Sequence, residues 1–331
     1  MVARVLKINM TLVASILIMV IPTVVVVMIG WKSAGTLAML AAMAGLFSAA
    51  GLRWRGLIPM TLVSGLGIFA GTLASDNPVA SAAVMLCSGA ILGGVNKWGL
   101  SVWNFMFPVL VASVIAEPPK VVTGVEFNAL ITALIGMGCI LVGGLLTMLV
   151  VKKAVQQTVP AYPLKVNIVY AVNFALLLAA AGYFASVMKS ELPGMWLALS
   201  VVVILIRPYQ GETTIKALQR AGGTILGFLL AIGISASLMP TSLYYVIAFA
   251  FLEIAVLMRF SLKRPYWEYV MFLTPGVVLM SGSPSQATEA ADYRLLATVA
   301  AALACLAVLG LERLLFWRGG LTKSLNSATE K

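Results

Sequence analysis

Residues 205–230 read LIRPYQGETTIKALQRAGGTILGFLL. The stretch sets Arg207, Glu212, Lys216 and Arg220 directly before a glycine-spaced apolar run, in a chain that is 61% hydrophobic and only 10% charged. On a helix, positions 212, 216, 220, 223 and 227 are spaced by four, four, three and four residues and so share one face. That face begins ionic and ends as Gly223-xxx-Gly227.

The sequence around it explains why such a face matters. With 331 residues and a mean hydropathy of +1.04, the chain holds apolar runs far longer than a soluble core needs, as a multi-spanning membrane protein does. The longest polar stretches, the connector 152–165 and the tail 317–331, are too short to fold alone. The first apolar segment is followed by no cleavage-site pattern and is expected to be a retained helix. The net charge of +11 does not imply nucleic acid as a partner, because the basic residues sit singly or in pairs at the ends of apolar segments. Cys87, Cys139 and Cys305 are isolated in apolar segments, so neither a disulfide framework nor a metal site is expected. The chain has no histidine, which removes imidazole catalysis, imidazole ligation and a histidine proton relay.

Apolar runs separated by charged or Pro/Gly-rich breaks predict an all-α integral membrane protein of twelve helices. They fall near 9–30, 34–51, 56–74, 79–95, 99–116, 126–151, 166–188, 193–206, 221–238, 242–258, 266–281 and 292–316. With a cytoplasmic N-terminus, only Lys32, Lys120, Lys189 and Arg294 of the 22 Lys and Arg residues fall outside. That asymmetry predicts both termini in the cytoplasm. The two halves also echo each other. Lys7-Ile-Asn9 recurs as Lys165-Val-Asn167, Lys32-Ser33 as Lys189-Ser190, Gly67-xxx-Gly71 as Gly223-xxx-Gly227, and Trp103 as Trp267. The expected organisation is a first six-helix repeat over 1–151, a cytoplasmic linker over 152–165, a second repeat over 166–316 and a cytoplasmic tail over 317–331. Six helices per half give both halves one orientation, a parallel repeat of the kind transporters use.

Several residues could carry chemistry. Gly67, Gly71, Gly223 and Gly227 let helices approach closely, and their expected role is packing. The eighth helix is short, about 14 residues or roughly 21 Å at the α-helical rise, against a hydrocarbon core of roughly 30 Å. Pro108 in NFMFPVLV and Pro275 in FLTPGVVL lie inside the fifth and eleventh predicted helices, where proline kinks or breaks the backbone. Shortened or Pro-interrupted segments at matching positions in two halves point to a midplane binding site. The alternative is a kink absorbed by neighbouring helices. Asn104, Thr274 and Trp267 lie beside these breaks and are candidate substrate contacts. Glu253, in YYVIAFAFLEIAVLMRF, is the one carboxylate placed inside a span. It is either a proton carrier, or paired structurally with a base such as Arg220. Arg207, Lys216 and Arg220 either draw anions to the inner mouth or serve as topology determinants. No GxxxxGK[ST] sequence occurs, so no P-loop is expected. No cofactor is expected either, and the chain reads as a non-enzyme, with no recognisable nucleophile–base pair.

The segment WLALSVVVILIRPYQGETTIKALQRAGGTILGFLLA (196–231) resembles the hallmark of the fusaric-acid-resistance (FUSC) and aromatic acid exporter superfamily. The matching elements are Trp196, Pro208, Gly211, Thr213, Arg220, Gly223, Thr224 and Gly227. YVMFLTPGVVLM (269–280) is similar to the family's "Y…FLTP" segment. The resemblance covers roughly 165–316 and is weaker over the first half, which lacks an Arg before its GxxxG. The cytoplasmic domains of longer members are missing, as in a short form.

The resemblance implies proton-driven export of aromatic or other hydrophobic weak acids from the bacterial cytoplasm, through the inner membrane. It also implies a periplasmic membrane-fusion adaptor as a partner, beside small organic anions, protons, the lipid bilayer and a homo-oligomer as further candidate associations. Related plant anion channels keep a passive channel open as an alternative, and a non-transporting subunit of an envelope complex is the third reading.

Overall fold

The computed structural model describes residues 2–151, 164–188, 193–205, 210–237, 240, 243–244, 246–248, 250–251, 254–255, 258, 265–279 and 284–317. Among them the regular structure is helical, with no strand. The helices are α1 (Val2–Met28), α2 (Gly35–Leu52), α3 (Trp54–Ala74), α4 (Pro78–Gly94), α5 (Met106–Ala116) and α6 (Val125–Val150). They continue with α7 (Leu164–Val187), α8 (Pro193–Leu205), α9 (Gln210–Ser235), α10 (Tyr266–Leu279) and α11 (Pro284–Trp317). The described residues between 243 and 258 are also helical, so the predicted eleventh and twelfth segments correspond to α10 and α11.

Local chemistry sets several of these boundaries. Asn77 caps α4, its Oδ1 accepting from the Val79 and Ala80 amides at 3.0 and 3.1 Å, and Pro78 opens the first turn. Arg53 (φ 56°) alone separates α2 from α3, and its guanidinium donates to the Val151 carbonyl beyond the end of α6. That bond ties the α2–α3 turn to the far end of the first half.

Large apolar side chains cover the outside of the bundle as well as its interior. Exposed side chains run Ile58, Leu62 and Leu66 on α3, Phe127, Leu130 and Leu134 on α6, and Ile168, Val172 and Leu176 on α7. These recur every three to four residues, making one continuous apolar face per helix. The buried faces carry Ser, Thr and Gly among apolar residues such as Leu57, Met60 and Ile68. Thr61, Thr72 and Thr147 are buried, and each hydroxyl donates to the carbonyl one turn back. Small hydroxylated residues inward and large aliphatic ones outward suit a lipid solvent, where helix contacts come from close packing. Six helical segments among the described residues are long and apolar enough to cross a bilayer, α2, α3, α6 and parts of α4, α7 and α9 among them. The chain is a multi-pass membrane protein.

Close helix contacts are made where glycine removes a side chain. A Cβ on Gly89 would lie 2.6 Å from the Ala175 Cα, and one on Gly93 2.7 Å from the Ala171 Cα. These contacts weld α4 to α7 across the two halves of the sequence. Ser186 Oγ donates to the Ser75 carbonyl (2.7 Å) at one end of that seam, and Asn96 Nδ2 to Asn167 Oδ1 (3.4 Å) at the other. On α2 and α6, Gly45 and Gly143 place backbone directly against backbone.

Three boundaries differ from the sequence expectation. α9 begins at Gln210 rather than 221, and α11 at Pro284 rather than 292, because their polar first turns are helical despite reading as loop. α5 begins at Met106 rather than 99, since residues 99–105 form turns. Trp103 therefore does not open a helix. Its ring packs over Gly51. All eleven residues of α5 are buried, so it is a core helix, apolar all round, against α2, α3, α4, α7 and α8.

Candidate functional site

The glycine face of α9 seats α10. A Cβ on Gly223 would stand 2.5 Å from the Trp267 carbonyl oxygen, and one on Gly227 2.6 Å from both the Met271 carbonyl oxygen and the Thr274 Cβ. Pro275 Cδ lies 3.1 Å from that same Gly227 position. The face quoted at the outset is thus where the proline-bearing helix docks. The first half pairs likewise: Gly67 meets Phe107 and Val111, and Gly71 meets Val111 and Val114, all on α5.

Arg220 lies ten residues inside α9, not in a connector, and is 3% exposed. Its Nη1 donates to the Tyr266 hydroxyl at 2.8 Å, which ties it to the start of α10. Its Nε is buried without a hydrogen-bond partner. A buried guanidinium with an idle N–H costs free energy until an acceptor reaches it.

A second buried guanidinium lies on α11, that of Arg294, a base expected at the outer end of the last predicted helix. Arg294 lies ten residues into α11 and is 2% exposed. Its guanidinium carbon stands 4.3 Å from the centroid of the Trp196 ring on α8, a cation–π contact. Its Nη1 is also buried without a partner. One turn further along the same two helices, Ser200 Oγ and Thr298 Oγ1 are 3.4 Å apart and both buried. Among the described residues, Arg220, Tyr269 and Tyr266 are the groups that act electrostatically on Arg294. Four elements, α8, α9, α10 and α11, therefore converge on two like charges.

The remaining candidates divide. Thr274 is fully buried, but its hydroxyl already donates to the Val270 carbonyl (2.9 Å), so it braces α10 rather than offering a free group. Pro275 lies inside α10, as expected. Trp267 lies in the first turn of α10 with its carbonyl against Gly223. Pro108, by contrast, is the third residue of α5, where its missing N–H has no partner to lose, so it does not interrupt the helix. Asn104 sits in the turn before α5, its Oδ1 buried and unpartnered. Among the described residues, α5 packs on first-half helices, α7 and α8, while α10 packs on α9 and α11. Short α8 lies between them, in contact with both α5 and α9. Arg207 and Glu253 lie outside the described residues.

α5, α8 and α10 have 11, 13 and 14 residues, about 16, 20 and 21 Å of helix. α5, which has described residues at both ends, falls short of a hydrocarbon core of roughly 30 Å. Irregular backbone at membrane depth is tolerated where it is buried in protein, as the turns of residues 99–105 before α5 are. Residues 176–308, which include α8, α9 and α10 and most of α11, match the family model described as fusaric acid resistance protein-like. The match covers less than half of the chain, and it is this segment that is similar to the family. Comparison with curated proteins and with solved structures finds no match.

Proposed function

We propose that the chain is a secondary active exporter, driven by the proton gradient, that moves aromatic or hydrophobic weak organic acids across the bacterial inner membrane. The observation that carries this reading is Arg220: a guanidinium buried within a membrane helix, with a free Nε, against a short proline-bearing helix. A fixed cation inside the protein recognises an anion, and its cost in the empty state is offset when one binds. Glu253 is the proposed proton carrier.

The reading includes twelve spans in two parallel six-helix repeats with cytoplasmic termini. Equivalent pairings support the repeat, since α2 and α3 pack on α6, and α3 on α5, as α8 and α9 pack on α11, and α9 on α10. It also includes a periplasmic membrane-fusion adaptor and self-association as candidate partners. A passive anion channel is the second reading, favoured by two buried guanidiniums, Arg220 and Arg294, that each keep an unpartnered nitrogen.

Accumulation of labelled benzoate in bacterial cells separates them. Cells expressing the chain are expected to hold several-fold less benzoate than vector controls, with the difference abolished by a protonophore and by Glu253→Gln. A difference that survives both treatments supports the channel, and equal accumulation throughout contradicts transport of this acid class.

A further inference from the structure

The helices are joined in two different ways. Between α4 and α7 the approach is backbone to backbone: a Cβ on Gly89 or Gly93 would stand 2.6 or 2.7 Å from the Cα of Ala175 or Ala171, and one on Gly182 2.8 Å from the Ser81 carbonyl oxygen. Hydrogen bonds pin both ends of this seam, from Ser186 Oγ to the Ser75 carbonyl (2.7 Å) and from Asn96 Nδ2 to Asn167 Oδ1 (3.4 Å). All four of these polar residues are buried. A rocking joint opens at one end while it closes at the other. A seam fixed at both ends, with glycine against alanine between them, does neither, because close-packed backbones have no looser arrangement nearby.

α8, α9, α10 and α11 are tied to one another instead. Gly223 and Gly227 seat α10 on α9, and Arg220 Nη1 donates to the Tyr266 hydroxyl at 2.8 Å. The Trp196 ring of α8 lies 4.3 Å from the Arg294 guanidinium of α11, and the Ser200 and Thr298 hydroxyls of the same two helices are 3.4 Å apart. α9 packs on both α8 and α11, so the two pairs form one group. A different kind of surface separates this group from the rest. Among the described residues α8 meets α5 and α7, and no glycine close approach lies on either contact. Val201, Val202 and Leu205 of α8 share one apolar core with Leu110, Val111 and Val114 of α5. The one hydroxyl of α5, on Ser113, donates to the Leu110 carbonyl of its own helix (2.7 Å). Apolar side chains without interlocked backbone permit the small sliding displacements by which packed helices shear.

We infer that the working boundary of the molecule falls between α7 and α8: α7 is a fixed part of the first-half frame, and α8, α9, α10 and α11 shift against α5 and α7 as one body that carries Arg220. The boundary lies one helix beyond the end of the first six-helix half, so the two halves do not rock about the α4–α7 seam. Arg220 keeps its hydrogen bond to Tyr266 throughout, because both residues travel in the same body. This deepens the proposed function and rests on it for its role in transport.

The test is double electron–electron resonance on the full chain in liposomes, with spin labels at positions 138 on α6, 176 on α7 and 222 on α9, taken in pairs, and the native cysteines replaced by alanine. A Cβ added at Gly138 or Gly222 meets nothing within 4 Å, and Leu176 is 57% exposed, so each position accepts a label. Distances are read at acidic and neutral pH, each with and without benzoate. The 138–176 distance is expected to stay single and unchanged, while 138–222 and 176–222 shift or split together. A shifting 138–176 distance with 176–222 constant overturns the boundary, since the halves then rock, and so does the absence of any shift. A second measurement needs no spin label: Asn96→Cys with Asn167→Cys, bridged across the seam by a short reducible dithiol cross-linker. The bridged protein is expected to keep benzoate flux within about twofold of its reduced form. Flux lost on bridging and restored by reduction overturns the fixed seam. The expected shifts without flux in any variant uphold the boundary and remove the transport reading. Gradient-driven flux with no shift does the reverse.

Discussion

Neighbouring glycines of α9 differ sharply in what they allow. A Cβ on Gly223 would stand 2.5 Å from the Trp267 carbonyl oxygen, a backbone atom that cannot rotate away, whereas Gly222 has nothing within 4 Å. Gly223→Ala is expected to destabilise the protein by about 1–3 kcal/mol through forced separation of α9 and α10. Gly222→Ala is expected to be neutral or to stabilise by about 0.5–1 kcal/mol, since alanine suits a helix interior better. Thermal melts in detergent check both, and equal effects would contradict the docking of α10 on this face. The importance of Gly223, Gly227 and Arg220 was legible because their spacing puts them on one helical face. Arg294 was not, because a single base near polar residues reads as a topology marker, and only the packing of α8 on α11 reveals Trp196 under it. Thr274 errs the other way: its hydroxyl looks available in sequence, but inside a helix it bonds the carbonyl one turn back.

At the level of elements, the two prolines separate. Pro275 lies inside α10, where it removes a backbone bond and presses on the preceding turn. Pro108 lies in the first turn of α5, where neither cost arises. Pro275→Ala is expected to lower transport by at least tenfold while leaving the melting temperature equal or higher. Pro108→Ala is expected to leave transport within about twofold and to lower the melting temperature, because it removes buried atoms from a tightly packed helix. Parallel flux and melting measurements distinguish the pair, and the opposite pattern would place the working break in the first half. Apolar runs located the described helices well, since length and hydropathy are what a bilayer selects. The starts of α9 and α11 were missed because QGETTIKALQ and PSQATEAA are polar, and polarity alone does not separate an exposed helical turn from a loop.

Across the whole molecule, the matching motifs of the two halves do not say how those halves meet. The α4–α7 seam depends on Gly89 and Gly93 meeting Ala175 and Ala171, a pairing of small residues with no signature distinct from the many other glycines of a membrane chain. The seam leaves the four helices of the second half that carry Arg220 and Arg294 as a coherent unit beside buried α5, with α8 touching both. In the proposed mechanism that unit presents a fixed positive site to the acid, and a proton taken up elsewhere supplies the driving force.

The most direct test is benzoate flux in proteoliposomes with and without an imposed pH gradient, corrected for protein-free liposomes, for wild type, Arg220→Gln and Glu253→Gln. The account predicts gradient-dependent uphill movement by wild type, loss of at least tenfold in rate with Arg220→Gln, and only downhill exchange with Glu253→Gln. Downhill, gradient-independent flux of equal rate in all three would contradict it.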